Sequence, residues 1–280
     1  MPGPYSLMVA RFPGNNQEHP DSSGYVINLQ EELLDDDRIS AIVPFRKSDT
    51  PITMTRNLCA KTALDRNIDY ILMIDSDMKP DCEDDGMAFW PGAWDFMMKR
   101  REAEVDCLGA GHPEPFVSNK YPPATIAAPY CGPPPVENVY VFHWASRENV
   151  GSGNINMKLE MISREHAASL KGIQEVAALP TGLILYDARV FRKLPPPWFD
   201  YEWADVPFNT QKATTEDVYQ TRNASMLGMP QFCAWDSWAA HIKTKHVGKP
   251  KPLQIHSIRQ TFADACIQAR DNHVAMSNRP

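Results

Sequence analysis

Three short apolar runs open the chain, each followed by turn-forming or charged residues. They are "YSLMVARF" (5–12), "ISAIVPF" (39–45) and "DYILMI" (69–74). Apolar runs of this length are typical of strands that are buried on both faces of a parallel sheet. The pattern therefore predicts three buried parallel strands in the first part of the chain.

The segment between the second and third runs has a helical pattern. In "TPITMTRNLCAKTALDRN", Thr50 is suited to be the N-cap and Pro51 the first helical residue. Apolar residues then recur at helical spacing, namely Met54, Leu58, Cys59, Ala63 and Leu64. Strand, helix and strand together predict a right-handed βαβ unit.

Later segments extend this alternation. "GMAFWPGAWDFMMKRREAE" predicts a helix interrupted near Pro91 and Gly92, while "TIAAPYC" and "VYVFHWA" predict strands. "ALPTGLILYDARVFRKL" predicts a strand followed by a short helix, and the proline-rich stretches predict loops. The fold class expected is a single α/β domain with a Rossmann-like, mostly parallel central sheet flanked by helices.

Composition excludes several classes of protein. With 43% hydrophobic and 22% charged residues among 280, the chain is typical of a globular protein with a sizeable core. We expect a cytoplasmic protein, because no apolar run is long enough to span a membrane and the start lacks a signal-peptide pattern. The six cysteines are far apart, which favours reduced thiols. A net charge of -7 argues against a general attraction to nucleic acid or anionic membranes.

Two aspartates follow the third strand with one serine between them, in "DYILMIDSDMKPD" (69–81). Asp75 and Asp77 are thus expected at the carboxyl end of a strand, where open α/β sheets bind ligands. Two converging carboxylates repel each other unless a cation lies between them, and such ligands suit Mg²⁺ or Mn²⁺. The alternative is a turn in which the aspartates cap backbone amides.

A second group of polar residues comes later in the chain. Glu216 and Asp217 begin a predicted helix whose N-cap is Thr214 or Thr215 and whose end is marked by Gly228. The helix dipole alone explains acidic residues in a first turn. His241, however, follows a second apolar segment that can return the chain to the same sheet edge. The combination favours a functional site over chance.

Together these segments resemble the GT-A-type glycosyltransferases, in particular the inverting, family-two-like enzymes of bacteria and their phages. The resemblance spans about 5–249. It rests on "YILMIDSDMKP" as the D-x-D strand, "TRN" in the preceding helix, "LPTGLILYDARVFRKLPPPWF" as the acceptor-side segment, "TEDVYQTRNASMLG" as the x-E-D helix and "AAHIKT" as the last metal-ligand strand. Pro180 departs from the family pattern, which has a small residue before Thr181 and Gly182.

The resemblance implies one GT-A-like domain over about 1–250, with a nucleotide-sugar half at about 1–110 and an acceptor half at about 111–250. A helical extension would follow at about 251–280. It also implies metal-dependent transfer of a sugar from a nucleotide diphosphate, most commonly UDP in the family, to an acceptor hydroxyl. A mixed oxygen and imidazole ligand set favours Mn²⁺ over Mg²⁺.

The family roles fall on particular residues of this chain. Asp77 would bind the metal and Asp75 the ribose or the metal shell, with His241 completing the ligands and His246 as a second candidate. Asp217 would be the general base, beside Glu216. The remaining donor-side candidates are Arg11, Phe12, Arg56, Ser76, Thr181 and Gly182. Arg11, Phe12 and Arg56 could equally be structural, and Trp198 and Phe199 would either stack on an acceptor or simply pack.

The acceptor is left open between a glycan, a small molecule and DNA with hydroxymethylated bases. The DNA hypothesis rests on the basic stretch "HIKTKHVGKPKP" (241–252). Two other functions remain as alternatives. One is a catalytically silent module that binds nucleotide sugars or carbohydrates. The other is a haloacid dehalogenase-type phosphatase with Asp75 as its nucleophile, although Met78 and the lack of a downstream G-D-x-x-x-D do not fit that family.

Overall fold

A computed structural model describes residues 3–13, 18–48, 51–83, 86–108, 120–132, 138–149, 155–206 and 209–242. The chain divides into two compact units, Met1–Lys243 and Thr244–Pro280, and every described residue belongs to the first. His246, the other residues of the basic stretch beyond position 242 and the predicted helical extension lie outside the described residues. The expected domain boundaries stay a prediction.

Strands and helices alternate through most of the described chain. The elements are β1 (Tyr5–Phe12), α1 (Pro20–Asp35), β2 (Ile39–Arg46), α2 (Ile52–Asp65), β3 (Tyr70–Asp75), β4 (Met78–Lys79), α3 (Phe89–Leu108), β5 (Thr125–Ala127), β6 (Phe142–Asn149), β7 (Ile155–Met161), α4 (Arg164–Ser169), β8 (Ile173–Val176), β9 (Leu183–Asp187), α5 (Arg189–Lys193), β10 (Glu202–Val206), β11 (Asn209–Thr214), α6 (Glu216–Met226), β12 (Gln231–Ala234) and β13 (Ala240–His241). None of the described helices combines the length and apolar character needed to cross a bilayer.

A seven-stranded sheet forms the centre of the described unit, with strand order β2-β1-β3-β9-β5-β12-β8. β1, β2, β3, β5 and β12 point one way, whereas β8 and β9 run antiparallel to their neighbours. The predicted mostly parallel α/β fold is therefore confirmed, and it is compatible with a single GT-A-like domain. Because five strands share one direction, their carboxyl ends lie at one edge of the sheet.

Helices cover both faces of this sheet. Leu72 of β3 belongs to one core cluster, together with Val26 of α1 and Trp94 of α3. The adjacent Met73 belongs to the other cluster, together with Ala63 of α2. This alternation follows from the two-residue period of a strand and explains why β3 is apolar throughout.

Several local predictions need correction. β2 lies at the sheet edge and is half-exposed, so it is not buried as predicted. α3 is continuous through Pro91, because proline is the third residue of this helix and its missing N–H would have no intrahelical partner there. α2 begins at Ile52, one residue late, because Pro51 is the extended N-cap with φ -77° and ψ 138°. The sequence interpretation also missed α1.

Candidate functional site

The D-x-D segment lies where β3 ends, and backbone contacts fix it from two sides. Asp75 N donates to the Gly182 carbonyl at 2.8 Å, which joins it to the start of β9. On the other side, His19 N donates to the Ser76 carbonyl at 2.9 Å and the Ser22 hydroxyl to the Asp75 carbonyl at 3.4 Å. Ser76 thus takes part through its backbone, and α1 begins against the candidate site.

Asp77 and His241 face each other at this edge. β13 pairs antiparallel with β4, so His241 lies opposite Met78. Ile242 N donates to the Asp77 carbonyl at 2.7 Å, and His241 Nε2 lies 3.1 Å from Asp77 Oδ2. The last described strand therefore brings the histidine back to the D-x-D segment, as the sequence predicted.

The Asp77 and His241 side chains are within hydrogen-bonding distance of each other, a spacing that two adjacent ligands of a divalent cation also have. Ligands at right angles, each about 2.1 Å from an octahedral ion, are about 3.0 Å apart, close to the observed Nε2–Oδ2 distance of 3.1 Å. His241 Nδ1 is buried and has no hydrogen-bond partner within the described residues. Those residues contain no group of three or more His, Cys, Asp or Glu side chains placed to hold a metal. The pair would thus supply two protein ligands to such a cation.

Arg56 joins the D-x-D segment to the first turn of α6. Its Nη2 donates to both carboxylate oxygens of Asp75 at 2.9 and 2.8 Å, and its Nη1 donates to Glu216 Oε1 at 2.9 Å. The Arg56 side chain is 3% exposed. Burial alone would lower the pKa of Arg56, but the charges of Asp75 and Glu216 outweigh burial and raise it. The guanidinium is therefore a fixed cation between two elements far apart in sequence.

Asp75 has a different environment from Asp77. Burial raises the pKa of Asp75, the contact with Arg56 opposes that rise, and the negative charges of Asp77 and Glu216 add to it. Both oxygens of Asp75 accept hydrogen bonds from Arg56, whereas Asp77 lies beside His241. Asp75 thus contacts the guanidinium of Arg56, and Asp77 contacts the imidazole of His241.

Asp217 lies at the start of α6, next to Glu216. Thr215 is the N-cap and its hydroxyl contacts the half-buried Asp217 carboxylate. The Thr221 hydroxyl accepts from Leu179 N at 3.0 Å, which fixes α6 to the segment before β9. The helix ends at Met226, with Gly228 at φ 76°, as the sequence predicted. Asp217 also adds to the negative charge around Arg56.

Thr181 and Gly182, which the sequence predicted as site residues, lie next to the D-x-D segment, where the Gly182 carbonyl accepts from Asp75 N. A Cβ on Gly182 would lie 2.8 Å from both Met78 Sδ and Tyr130 Cε1, so only glycine fits without a shift. Thr181 is fully buried, and its hydroxyl has no hydrogen-bond partner within the described residues. Direct contact of either residue with a donor stays a prediction.

Arg11 and Phe12 end β1 beside this region. The Arg11 guanidinium forms an ion pair with Glu18, whose other oxygen is 3.6 Å from Arg46 Nε. Phe12 is 1% exposed, and its ring lies 5.8 Å from the Arg56 guanidinium carbon. The buried Phe12 ring therefore packs near the Arg56 guanidinium. It would contact a nucleotide base only after the residues that cover it had moved.

Asn57 organises the aromatic loop that the sequence marked as a candidate acceptor wall. Its Oδ1 accepts from Trp198 N at 2.8 Å and its Nδ2 donates to the Phe199 carbonyl at 2.7 Å. Phe199 is 1% exposed, and Trp198 Nε1 donates to the Phe191 carbonyl at 2.9 Å. Both aromatic side chains pack in this structure.

Sequence reasoning missed two aromatic residues at the site. The Tyr130 ring lies 5.2 Å from the His241 ring, and the Tyr201 hydroxyl hydrogen-bonds to Glu216. Burial raises the pKa of Tyr130 well above its usual range, and nearby carboxylates add to that effect. Neither tyrosine belongs to a motif. Only the apolar run around Tyr130, which predicted a strand, could have suggested its position.

No family model and no curated protein matches this chain. Among solved structures, A197 from STIV is similar, with 13% identity and a TM-score of 0.45 over 89% of this chain and 100% of that one. GalNAc-T7 with UDP, GalNAc and Mn²⁺ is also similar, with 10% identity and a TM-score of 0.41 over 86% of this chain. The match covers 44% of the GalNAc-T7 chain. Likeness at this level does not define a function.

Proposed function

We propose that this protein is a metal-dependent, inverting glycosyltransferase that moves a sugar from a nucleotide diphosphate to an acceptor hydroxyl. One observation carries the proposal. The D-x-D residues, the acidic start of α6 and His241 are far apart in sequence but meet at the carboxyl edge of a mostly parallel sheet. This edge is where open α/β sheets bind ligands.

Asp77 and His241 would hold the divalent cation, with Mn²⁺ favoured by the mixed oxygen and nitrogen ligands. When bound, such a cation acts as a Lewis acid that neutralises the leaving diphosphate. Two protein ligands leave positions for diphosphate oxygens and water, as is usual for cations that bind nucleotides. His246 and the basic stretch beyond position 242 remain further candidates from the sequence alone.

Asp217 is the proposed general base for the acceptor hydroxyl. It is half-buried at the start of α6, and its neighbour Glu216 is already engaged by Arg56. Glu216 therefore positions the helix, while Asp217 accepts the proton. Asp75, held through both oxygens by Arg56, is proposed to orient the donor ribose. Displacement in one step would invert the anomeric carbon.

The contacts of Asp75 weigh against the phosphatase alternative. A phosphatase nucleophile must reach phosphorus, but both Asp75 oxygens face a buried guanidinium. A silent binding module is distinguished by the absence of donor hydrolysis, because Asp217 also has a structural contact at the start of α6, where its carboxylate accepts from Val218 N at 2.8 Å. A UDP-sugar is the proposed donor on grounds of the family resemblance. The acceptor is a hydroxyl on a glycan, a small molecule or a modified DNA base.

The test combines donor binding with metal dependence. The wild-type protein is incubated with Mn²⁺ and a panel of nucleotide sugars, and thermal unfolding and donor hydrolysis are recorded. A donor at 100 times its Kd should stabilise the fold by about 2.7 kcal/mol. Asp77→Ala and His241→Ala should each abolish the metal-dependent part of this stabilisation. Asp65→Ala, in an exposed ion pair on α2, is the matched control and should retain it.

Treatment with excess chelator is the experiment that can contradict the metal-dependent mechanism. If sugar transfer continues undiminished after complete metal removal, the proposed mechanism is wrong. If Asp77→Ala and Asp65→Ala lose metal-dependent stabilisation equally, Asp77 is not the ligand.

A further inference from the structure

A cavity lies along the same sheet edge and shares no lining residue with the site described above. Its volume is about 400 Å³, within the range of about 300–1,000 Å³ that small-molecule sites occupy. We call it the tryptophan cavity, after the residues on its wall that matter here: Glu83, Arg164, Lys171, Trp235, Asp236 and Trp238.

The topology places the tryptophan cavity at the same edge of the sheet as the candidate metal ligands. Trp235 directly follows β12, whose carboxyl end lies at the edge that also holds the D-x-D segment. Trp238 precedes His241 by three residues, so their Cα atoms are at most about 10 Å apart. Cys131 lines the cavity, while its neighbour Tyr130 contacts the His241 ring. A ligand in the cavity would therefore lie at the same sheet edge as the proposed transfer site.

The aromatic part of the wall consists of two tryptophans. Trp235 is fully buried and Trp238 is half-buried, with ring centroids 6.1 Å apart. The indole N–H of Trp235 is buried without a hydrogen-bond partner in the described part of the chain. Tryptophan offers a broad apolar face and one donor, which suit a sugar ring with C–H bonds on its faces and hydroxyls at its rim.

The charged side chains on the wall comprise two cations and two anions, so their formal charges cancel. Arg164 and Lys171 are cationic, and Glu83 and Asp236 are anionic. Asp236 Oδ2 accepts from Gly172 N at 2.7 Å, and Lys171 Nζ is 3.8 Å from Asp236 Oδ1. A polyanion such as DNA would face two carboxylates here. A neutral polyol can instead donate to the carboxylates and accept from the cations.

We infer that the tryptophan cavity binds a neutral sugar unit of the acceptor, with Trp238 providing the stacking face. This assignment rests on the proposed glycosyl transfer, because it makes the acceptor a carbohydrate. It favours a neutral glycan over the modified DNA that the basic stretch suggested.

The test is direct binding of neutral saccharides, measured by saturation-transfer NMR without any donor. The probes are a panel of neutral monosaccharides and disaccharides, and short duplex DNA is the competing polyanion. We expect at least one saccharide to receive saturation, and its affinity to fall about tenfold in Trp238→Leu. Trp203→Leu is the matched control, because Trp203 is 62% exposed on β10 and does not line the cavity.

A second variant provides an independent test if Trp238→Leu does not fold. Lys171→Met changes a cavity side chain that is 78% exposed, so the fold should tolerate it, and saccharide binding should weaken. Absence of binding to every neutral saccharide, or equal affinity in wild type, Trp238→Leu and Lys171→Met, would overturn the inference. So would binding of duplex DNA that is weakened by Trp238→Leu.

Donor hydrolysis, measured separately with Mn²⁺, distinguishes this inference from the proposed function. Hydrolysis without saccharide binding rejects the subsite alone. Saccharide binding that depends on Trp238, without hydrolysis of any donor, keeps the subsite and rejects the transferase.

Discussion

Replacing Arg56 by methionine should be strongly destabilising. The side chain is 3% exposed and is the described cation that contacts both Asp75 and Glu216. Methionine fills a similar volume but leaves the two carboxylates without that partner. Because those carboxylates are 22% and 12% exposed, water can replace only a small part of the lost interaction.

The size of the effect follows from these exposures. Breaking a buried ion pair by removing one partner costs about 3–5 kcal/mol. Since both carboxylates keep some access to water, we expect the lower end, about 3 kcal/mol, from a total free energy of unfolding of about 5–15 kcal/mol. With an m-value of about 3 kcal/mol per molar urea, the midpoint should fall by about 1 M.

The loss should also depend on pH. Burial already raises the pKa of Asp75, and removing Arg56 deletes the contact that opposes the rise. A carboxyl whose folded pKa exceeds its unfolded value of about 3.9 destabilises the fold increasingly as pH rises above that value. Urea unfolding of wild type and Arg56→Met should therefore differ more at pH 7 than near pH 4.5.

Lys61→Met is the matched control on the same helix. Lys61 pairs with Asp65 at 2.6 Å, but both side chains are at least 60% exposed. An exposed pair of this kind contributes about 0–1 kcal/mol. Two results would contradict this role of Arg56. One is a loss of unfolding free energy in Arg56→Met no larger than in Lys61→Met, and the other is an equal loss at both pH values.

Three further predictions concern the site and the fold. Asp217→Asn should lower kcat by about 10²-fold or more with donor affinity nearly intact, whereas lost donor affinity at unchanged kcat would make Asp217 a binding residue. Gly182→Ala should lower the unfolding midpoint and weaken Mn²⁺-dependent stabilisation, because its Cβ would lie 2.8 Å from Met78 Sδ, and an unchanged midpoint would contradict this packing. For Glu104, burial alone would raise the pKa, but Arg189 and Arg101 lower it overall, so its stabilisation is present above its unfolded pKa and lost as pH falls through the folded value. Urea unfolding should therefore show that Glu104→Gln is destabilising at pH 7 and less so near pH 3, and an equal loss at both would contradict it.

The central strands of the sheet could be predicted because burial on both faces requires a continuous apolar run, which is visible in the local sequence. β1 and β3 are continuous apolar runs bounded by turn formers or charge, and both were placed within one residue. β2 has a similar composition, but its burial depends on whether another strand lies beside it, which the sequence does not encode locally. α1 was missed although Pro20 at its start and Val26, Leu29 and Leu33 on one face carry a helical pattern.

The apolar segment before His241 indicated a return to the same sheet edge, but the pairing of His241 with Asp77 was implied by the family resemblance. The physical link is β13, a strand of two residues that pairs with β4. A pattern this short cannot be identified from periodicity. Tyr130 and Tyr201 reach the site from loops whose paths depend on the packing of the whole domain, so no spacing rule could have placed them.

The structure also changes how the D-x-D segment is understood. Residues two apart in an extended strand point to the same side, which suggested that Asp75 and Asp77 share one cation. Asp75 is still the last residue of β3, whereas Asp77 lies in the turn before β4, so the two side chains have different neighbours.

Arg56 from α2 forms an ion pair with Asp75, whereas Asp77 lies beside His241. A fixed charge keeps its geometry through a catalytic cycle, whereas a bound cation can arrive and leave with the nucleotide. The contact with Arg56 thus opposes the rise in the pKa of Asp75 that burial causes, without requiring a bound ion. Under the proposed mechanism, removing the cation should therefore leave Asp77 beside His241, while Asp75 and the start of α6 stay in place.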